Sequence, residues 1–308
     1  MLLNLFDGHP ELCVYPTDIT MLYAYFPAYE NGGFSEKEKR ERLNTVIFDT
    51  LEGESNIAEH LDLGSLRSRF SERMGSKSYA TEDILKELVL AYYELVGPSH
   101  LDHKGTIVKE TSIEIYARHL FEWFPDAKFI HLIRDPRDTF AALKAGIEGR
   151  YRHFGDDANT IIHSLLERCH LGMEMADLNQ QRFGTGSYKI VRFEDLVTSP
   201  DTSLRDMCEF LGISYQESLM VPTLLGNPTR GNNFEKMDFS RISTRNVGAW
   251  PGRILPEEAK VIEFHFSDLM PRFQYETAFS DFEQSDAAAD FYKWSNHKYH
   301  HFDHLKCK

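Results

Sequence analysis

Short apolar runs alternate with amphipathic stretches along much of the chain. Two of these runs lead through a polar turn into a clear helical pattern, which gives the order strand, loop, helix, strand. That order is typical of a parallel sheet covered by helices on both faces, so we predict an α/β fold. The predicted strands are Leu12–Tyr15, Thr106–Lys109, Lys128–Ile133 and Tyr188–Phe193.

Helical periodicity is clearest in the second half of the chain. A long helix is predicted over residues 157–181, where apolar residues recur at helical spacing. Another covers residues 203–211 and ends at a glycine, and a third begins at Pro256 ahead of two glutamates. In the first half, Thr111 and Glu114 have the spacing of a capping box, which predicts a helix start.

The sequence pattern also predicts how the chain is divided. Residues 1–279 are expected to form one domain, with a charge-rich helical excursion outside the sheet at about 30–100. Residues 280–308 are polar and rich in histidine, and we predict a C-terminal tail with no core role. Some of its side chains are of metal-binding type, but their spacing fits no closed site, so no metal is predicted. These residues are His297, His300, His301, His304 and Cys307.

Composition narrows the class of partner. The chain has 308 residues and a formal net charge of -14, which argues against nucleic acid because phosphate backbones need clustered Lys and Arg. A nucleotide site remains compatible, since it needs only a few local cations. The 4 cysteines lie far apart, which favours a reducing, cytoplasmic compartment. No apolar run approaches the ~20 residues that would cross a membrane.

One segment has the features of an anion site. The apolar run ending at Ile133 leads into a polar turn, and a helix is predicted to start near Pro136. Ligands of open parallel sheets bind at the carboxyl ends of the strands, and a helix N-terminus favours an anion. Arg134 adds a cation with bidentate geometry, so we predict a phosphate site here. The alternative is that the charged residues of 134–138 pair with one another at the surface.

The sequence around this turn resembles that of a known protein family. Phe124–Asp138 resembles the 3′-phosphate-binding segment of sulfotransferases that use 3′-phosphoadenosine 5′-phosphosulfate, and Val191–Leu196 is similar to their second strand signature. Further similar segments follow the family's order: Gly8–Glu11, Pro222–Asn233 and Ile242–Trp250. The resemblance covers roughly residues 1–275. It implies a P-loop-NTPase-like parallel sheet, this nucleotide as co-substrate, and sulfuryl transfer to a hydroxyl or amine of a small-molecule or glycan acceptor.

The resemblance also implies roles in nucleotide binding. Arg134 takes the place of the arginine that grips the 3′-phosphate. Eight residues later the family usually has a serine, and here Ala142 removes that hydroxyl, a loss of about 0.5–1.5 kcal/mol. Phe193 replaces a commoner tyrosine and is expected near the adenine, or alternatively in the core. Three residues fall in the loop that closes over the same phosphate, unless they form an ordinary polar turn: Ser243, Thr244 and Arg245.

The catalytic residues implied by the resemblance lie in the first half of the chain. Sulfuryl transfer needs a cation for the leaving oxygen and a base for the acceptor's proton. Lys109 matches the lysine of a Lys-Thr-Pro motif, and its alternative is a surface lysine at a strand end. Asp18 is the nearest match to the family's acidic base, with a helix N-cap as its alternative. Glu110 is the other candidate base.

One family element has no match in this sequence. It is the Gly-x-x-Arg-Ser-Gly-Thr-Thr loop that cradles the 5′-phosphosulfate after the first strand. Residues 1–10 resemble the helix that follows that loop, so we expect Met1 to be an internal methionine. An inactive or truncated nucleotide-binding protein is the alternative function. A kinase or GTPase is disfavoured because the chain has no GxxxxGK[ST] motif.

Overall fold

The computed structural model describes four parts of the chain, with side chains up to residue 295. These parts are 1–97, 103–146, 158–229 and 238–299. The chain forms two compact units, each assembled from separate parts of the sequence. The first unit takes its described residues from 1–127, 200–231 and 238–242, and the second from 128–199 and 243–308. The predicted single domain over 1–279 stays a prediction.

Helices account for most of the regular structure. Those of the first unit are α1 (Leu2–Phe6), α2 (Met21–Ala24), α3 (Ala28–Asn31), α4 (Glu36–Leu43), α5 (Thr50–Gly53), α6 (Ser55–Ala58), α7 (Leu63–Met74), α8 (Thr81–Val96), α9 (Ala117–Trp123) and α14 (Pro200–Leu211). Those of the second unit are α10 (Pro136–Lys144), α11 (Ala158–Leu165), α12 (Leu171–Phe183), α13 (Phe193–Thr198), α15 (Pro256–His265) and α16 (Asp281–Tyr299). No helix among the described residues is both long enough and apolar enough to cross a bilayer.

The first unit is built on two parallel strands, β1 (Leu12–Asp18) and β2 (Gly105–Lys109). Their register is interrupted after Val14 and resumes with Asp18 opposite Lys109. Pro16 lies inside the interruption, where its missing N–H group costs no ladder hydrogen bond. The irregular register therefore places two charged side chains opposite each other at the carboxyl ends of the strands.

The second unit is built on another parallel pair, β3 (Phe129–Ile133) and β4 (Tyr188–Arg192). They run in unbroken register, so that Ile133 lies opposite Arg192. The residues that follow the two strands consequently leave the sheet side by side. All four predicted strands are present and pair in parallel, which confirms the α/β fold. A short antiparallel pair, β5 (Thr223–Leu224) and β6 (Asn227–Pro228), belongs to the first unit.

The C-terminal part differs from the predicted tail without a core role. Residues 281–299 form α16, which packs on α15, places Phe291 in the core of the second unit and also buries Ala288. The two residues are three positions apart, so they share one helix face. This short apolar stripe is hidden among polar and aromatic neighbours. The candidate metal ligands from His297 onward lie outside the described side chains, and the described residues contain no group that could hold a metal.

Candidate active site

The turn between β3 and α10 is shaped by its own sequence. Asp135 caps the helix by accepting a hydrogen bond from the backbone N–H of Arg137 at 2.8 Å. Pro136 occupies the first helical position, where its missing N–H group leaves no partner unsatisfied. Arg134 therefore stands between a strand end and a capped helix N-terminus, which is the position predicted for it.

The charged residues of this segment do not pair with one another at the surface. Arg137 is buried and donates through Nε and Nη2 to Asp135, at 3.0 and 2.7 Å. Its Nη1 donates to Glu263 at 2.6 Å, and its guanidinium lies 4.5 Å from the ring centroid of Trp250. Arg137 and Asp135 are thus a buried structural pair. The surface-pairing alternative is wrong for them, and Arg134 is left to other contacts.

Arg134 is held in place and keeps an unused donor. Its Nη2 donates to the carbonyl oxygen of Asn246 at 2.7 Å, and its guanidinium lies 4.6 Å from the ring centroid of Phe193. Its Nε is buried and has no hydrogen-bond partner within the described residues. A buried donor without a partner costs about 1–3 kcal/mol, so a ligand that accepts from this guanidinium would recover that cost.

The carboxylates around Arg134 are engaged by other groups. Asp138 accepts from the backbone N–H groups of Gly248 and Trp250 at 2.7 and 2.8 Å. Burial raises the pKa of Asp138, against the lowering effect of these bonds and of Arg134. Burial lowers the pKa of Arg134, while Asp138 and Glu194 oppose that change. The cationic side chain is therefore surrounded by negative charge that is already hydrogen-bonded elsewhere.

Glu194 is a site residue that the sequence reasoning missed. Its two oxygens accept from the backbone N–H of Asp135 at 3.0 Å and from the hydroxyl of Tyr275 at 2.8 Å. Because β3 and β4 end in register, Glu194 lies beside the turn that contains Arg134 and can hold its backbone. An acid in the first turn after a strand that pairs with the anion-site strand is the signal that could have identified it.

Phe193 lies against Arg134, and the three predicted loop residues precede Asn246, which also contacts it. Phe193 begins α13 rather than ending a strand, and it is half-buried, so it is not a core residue. Ser243, Thr244 and Arg245 form a polar turn, in which Ser243 Oγ accepts from the N–H of Arg245 at 3.2 Å. Asn246, one residue further on, makes the direct hydrogen bond to Arg134. Contact of the three loop residues with a phosphate stays a prediction.

The first unit brings together the three predicted catalytic residues. Both carboxylate oxygens of Asp18 lie 2.8 Å from Nζ of Lys109, its partner in the strand register. Asp18 is not an N-cap, because it ends β1 and Thr20 holds the N-cap position of α2. Lys109 is half exposed, with 50% of its side chain accessible, so its charge is available to a ligand. Glu110 follows directly at the end of β2.

Glu110 is a buried carboxyl group with an altered acidity. It accepts from the backbone N–H groups of Leu22 at 2.9 Å and Tyr23 at 3.2 Å. Glu110 thus provides hydrogen-bond acceptors for the first turn of α2, although it lies far from that helix in the sequence. Burial raises the pKa of Glu110 to about 7, with Asp18 adding to the rise and the backbone hydrogen bonds opposing it. A carboxyl group with this pKa can exchange a proton at neutral pH.

Comparison with known proteins assigns the family of the chain. A protein-family model described as "Sulfotransferase family" matches residues 2–217. The chain belongs to the sulfotransferase family. The match includes Asp18, Lys109, Glu110, Arg134 and Phe193, and the sequence resemblance is therefore confirmed at the level of the family.

Relatives of this sulfotransferase-family chain match only part of their own length. Carbohydrate sulfotransferase 1 from Danio rerio is 29% identical over 136 residues, which is 40% of this chain and 32% of that protein. Omega-hydroxy-beta-dihydromenaquinone-9 sulfotransferase Stf3 from Mycobacterium bovis is 24% identical over 183 residues, 56% of this chain and 42% of that protein. The chain thus spans less than half the length of these two relatives.

Solved structures show the same fold as this sulfotransferase-family chain. The sulfotransferase domain from the curacin biosynthetic pathway has a TM-score of 0.60 and 15% identity, covering 89% of this chain and 93% of that one. The sulfotransferase domain of the Synechococcus PCC 7002 olefin synthase has a TM-score of 0.57 and 18% identity, covering 89% and 90%. At these identities the likeness establishes the fold alone.

Proposed function

We propose that this chain transfers a sulfuryl group from 3′-phosphoadenosine 5′-phosphosulfate to a hydroxyl or amine of a small-molecule or glycan acceptor. The observation that carries the proposal is the arrangement of Arg134, which is fixed between a strand end and a helix N-terminus and whose buried Nε has no hydrogen-bond partner in the described part of the chain. Membership of the sulfotransferase family gives this anion site a specific chemistry.

The residues around Arg134 fit the nucleotide end of that co-substrate. A guanidinium with free donor capacity suits the 3′-phosphate, which carries two negative charges and several acceptor oxygens. Phe193 already lies against this guanidinium at 4.6 Å and offers its ring to the adenine. The turn of Ser243, Thr244 and Arg245 adds hydroxyl and cationic donors beside Asn246.

The residues at the ends of β1 and β2 are suited to the transfer step. In that step the acceptor oxygen or nitrogen forms a bond to sulfur, and the bond from sulfur to the bridging oxygen breaks. We assign the acceptor's proton to Glu110, because its pKa of about 7 leaves part of the population ready to accept it. Lys109 supplies a cation for the developing negative charge, and Asp18 holds that lysine in place.

The acceptor is assigned more broadly than the donor. One relative is named for carbohydrate acceptors, and the other for an omega-hydroxy menaquinone derivative. Both names describe molecules with hydroxyl groups, which supports a hydroxyl as the acceptor group of this chain. A panel for testing therefore contains an oligosaccharide, a long-chain primary alcohol and an arylamine.

Nucleotide binding is the first test. Adenosine 3′,5′-bisphosphate is expected to raise the melting temperature of the full chain, and Arg134→Ala is expected to abolish that rise. Arg272→Ala is the matched control, because Arg272 is an exposed arginine of the same unit that pairs with Asp177 at 3.4 Å. A chain that gains no stability from the bisphosphate would contradict the nucleotide assignment.

Sulfuryl transfer is the second test. The chain is incubated with labelled co-substrate and the acceptor panel, and labelled product is separated and counted. Glu110→Gln should lose most of the activity while keeping the nucleotide-induced stabilisation, because Gln cannot take the proton. Glu122→Gln is the control, since Glu122 is exposed and pairs only with its helix neighbour Arg118 in the described contacts. Binding without any transfer would identify a nucleotide-binding protein instead of an enzyme.

A further inference from the structure

Thr20, the N-cap residue of α2, holds a strained backbone conformation. Its φ is 53° and its ψ is 12°, in the left-handed region that residues with a branched Cβ rarely adopt. Four non-glycine residues in the described part of the chain have a positive φ, and among them only Thr20 is β-branched. Such a conformation persists only where surrounding contacts hold it, and residues of this kind are concentrated at functional sites.

Contacts on both sides of the bend hold Thr20 in place. Its Oγ1 donates to the carbonyl oxygen of Val46 at 2.8 Å, in a buried hydrogen bond. Val46 belongs to a π-helical segment, Asn44–Asp49, and such segments are rare and frequently lie at functional sites. On the other side, the N–H of Ile19 donates to the carbonyl oxygen of Lys109 at 2.9 Å, so the pairing with β2 continues to the residue before Thr20.

The Thr20 hydroxyl does not cap its own helix. An N-cap residue ordinarily has an extended backbone, and its side-chain oxygen accepts from the N–H groups two or three positions later. In α2 those positions are Leu22 and Tyr23, and Thr20 makes no such bond. Glu110 takes its place and accepts from Leu22 at 2.9 Å and from Tyr23 at 3.2 Å. The left-handed bend thus leaves two backbone donors to the carboxylate of the proposed base.

We propose that Thr20 is a positioning residue for Glu110, because its left-handed backbone and its bond to Val46 keep the first turn of α2 directed at the Glu110 carboxylate. The inference rests on the proposed function, in which Glu110 takes the acceptor's proton. The two N–H groups stabilise the charged form of Glu110 and oppose the effect of burial on its pKa. Without the Thr20 hydroxyl the backbone would relax out of the left-handed region, those bonds would weaken, and the pKa of Glu110 would rise above about 7.

Three other ionisable side chains belong to the surroundings of Glu110. Asp18 adds to the rise in the Glu110 pKa, and Lys109 pairs with Asp18 at 2.8 Å. Burial raises the pKa of Tyr116, and the charge of Glu110 adds to that rise, so this phenol stays neutral around pH 7. A substitution at Thr20 replaces none of the three, so a shift of the Glu110 pKa would report on its backbone donors.

The test is an NMR titration of the Glu110 carboxyl carbon in the full chain, with Glu110→Gln identifying the signal. Thr20→Ala should raise the midpoint by about one pH unit, a tenfold change in the acid dissociation constant, as for one lost hydrogen bond to a charged group. Thr20→Ser keeps the hydroxyl and should keep the midpoint at about 7. Thr198→Ala is the matched control, because the Thr198 hydroxyl also donates to a backbone carbonyl, that of Glu194 at 2.7 Å, in the other unit.

Thr20→Gly covers the case in which Thr20→Ala does not fold. Glycine adopts the left-handed backbone without strain but lacks the hydroxyl, so the Glu110 midpoint should still rise, by less than in Thr20→Ala. A midpoint that stays at its original value in the folded variants would overturn the inference, even if those variants melt at a lower temperature. That result would give Thr20 a structural role alone.

Sulfuryl transfer separates this inference from the proposed function. In an active chain, the rise of the transfer rate with pH should move to higher pH in Thr20→Ala, together with the NMR midpoint of Glu110. A midpoint that moves in a chain without transfer activity would support the role of Thr20 at Glu110 and contradict the proposed function. An unchanged midpoint in an active chain would overturn the inference and leave the proposed function intact.

Discussion

The carboxylate of Asp138 holds the backbone of Trp250, whose N–H group donates to it at 2.8 Å. The other carboxylate oxygen accepts from the N–H of Gly248 at 2.7 Å, and the side chain is fully buried. These bonds tie the loop to the first turn of α10, so that Asn246 remains within reach of Arg134. The loop position in the second unit thus depends on one buried acid.

Replacing Asp138 should therefore affect both stability and ligand binding. Asp138→Ala removes two hydrogen bonds to a charged acceptor, and we expect the free energy of unfolding to fall by about 2–4 kcal/mol. Asp138→Asn keeps one acceptor oxygen and should lose less. Urea denaturation measures the first effect, and calorimetry with adenosine 3′,5′-bisphosphate measures the weakened binding. Asp290→Ala, which removes an exposed acid paired with Lys293, should change neither.

Glu110 makes stability depend on pH. Its pKa is higher in the fold than its ordinary 4.5, at about 7, so folding favours the protonated form. The contribution is fully present below about pH 4.5 and is lost as the pH rises through about 7. Relative to Glu110→Gln, which cannot ionise, the free energy of unfolding should fall by about 2–3 kcal/mol between pH 5 and about pH 8.

Urea denaturation of both proteins across this pH range measures the difference, and changes at other ionisable groups cancel in it. Glu122→Gln provides a second reference, because that exposed acid should leave the pH dependence of the unmodified chain intact. A constant difference between the unmodified chain and Glu110→Gln would show that the Glu110 carboxyl ionises in its ordinary range.

The sequence predicted what local patterns determine and missed what distant residues supply. The four strands and the Arg134 turn follow from apolar runs, a capping aspartate and a proline. The backbone groups that Glu110 binds lie 87 and 88 residues away, and no local pattern encodes such a contact. At Thr111, by contrast, the local pattern predicted a motif that the structure does not contain. Its predicted capping box is not formed, because Ser112 adopts a left-handed conformation and a 3-10 helix begins at Ile113.

The tail and the loop show how tertiary contacts override composition. Residues 281–295 are mostly polar, yet Phe291 is buried because a single face of α16 meets α15. The turn at Ser243 looks like an ordinary polar turn, and locally it is one. Its relation to the site comes from Asp138, more than a hundred residues earlier in the chain. A pattern confined to one segment cannot supply that relation.

The His131 ring should remain neutral at pH values well below those at which a histidine ordinarily becomes protonated. Burial lowers its pKa from 6.5 to about 4, and its Nδ1 lies 2.7 Å from the hydroxyl oxygen of Tyr188. A lowered pKa contributes stability above about pH 6.5, and that contribution is lost as the pH falls toward 4. A titration of the His131 ring by NMR checks this directly. A midpoint near 6.5 would mean that water reaches the ring in the folded chain.

Glu263 connects α15 to the segment that leads into α16. Its carboxylate accepts from Arg137 at 2.6 Å and from the backbone N–H groups of Ala278 and Phe279 at 2.9 and 3.1 Å. The Glu263 side chain is fully buried, and Arg137 is also buried. Loss of Arg137 leaves Glu263 buried without its charged partner, which typically costs about 3–5 kcal/mol. Loss of Glu263 leaves Arg137 paired with Asp135 alone.

Arg137→Met should therefore lower the free energy of unfolding by about 3–5 kcal/mol, and Glu263→Gln should lower it by less, because Arg137 keeps its pairing with Asp135. The double variant should lose less than the sum, because the second change removes the charge that the first one exposed. Hydrogen exchange should also quicken in α16 in Glu263→Ala, since the turn before the helix loses its acceptor. Glu276→Gln, an exposed acid in the same segment, serves as the control. Strict additivity of the two single losses would show that Glu263 and Arg137 stabilise the unit independently.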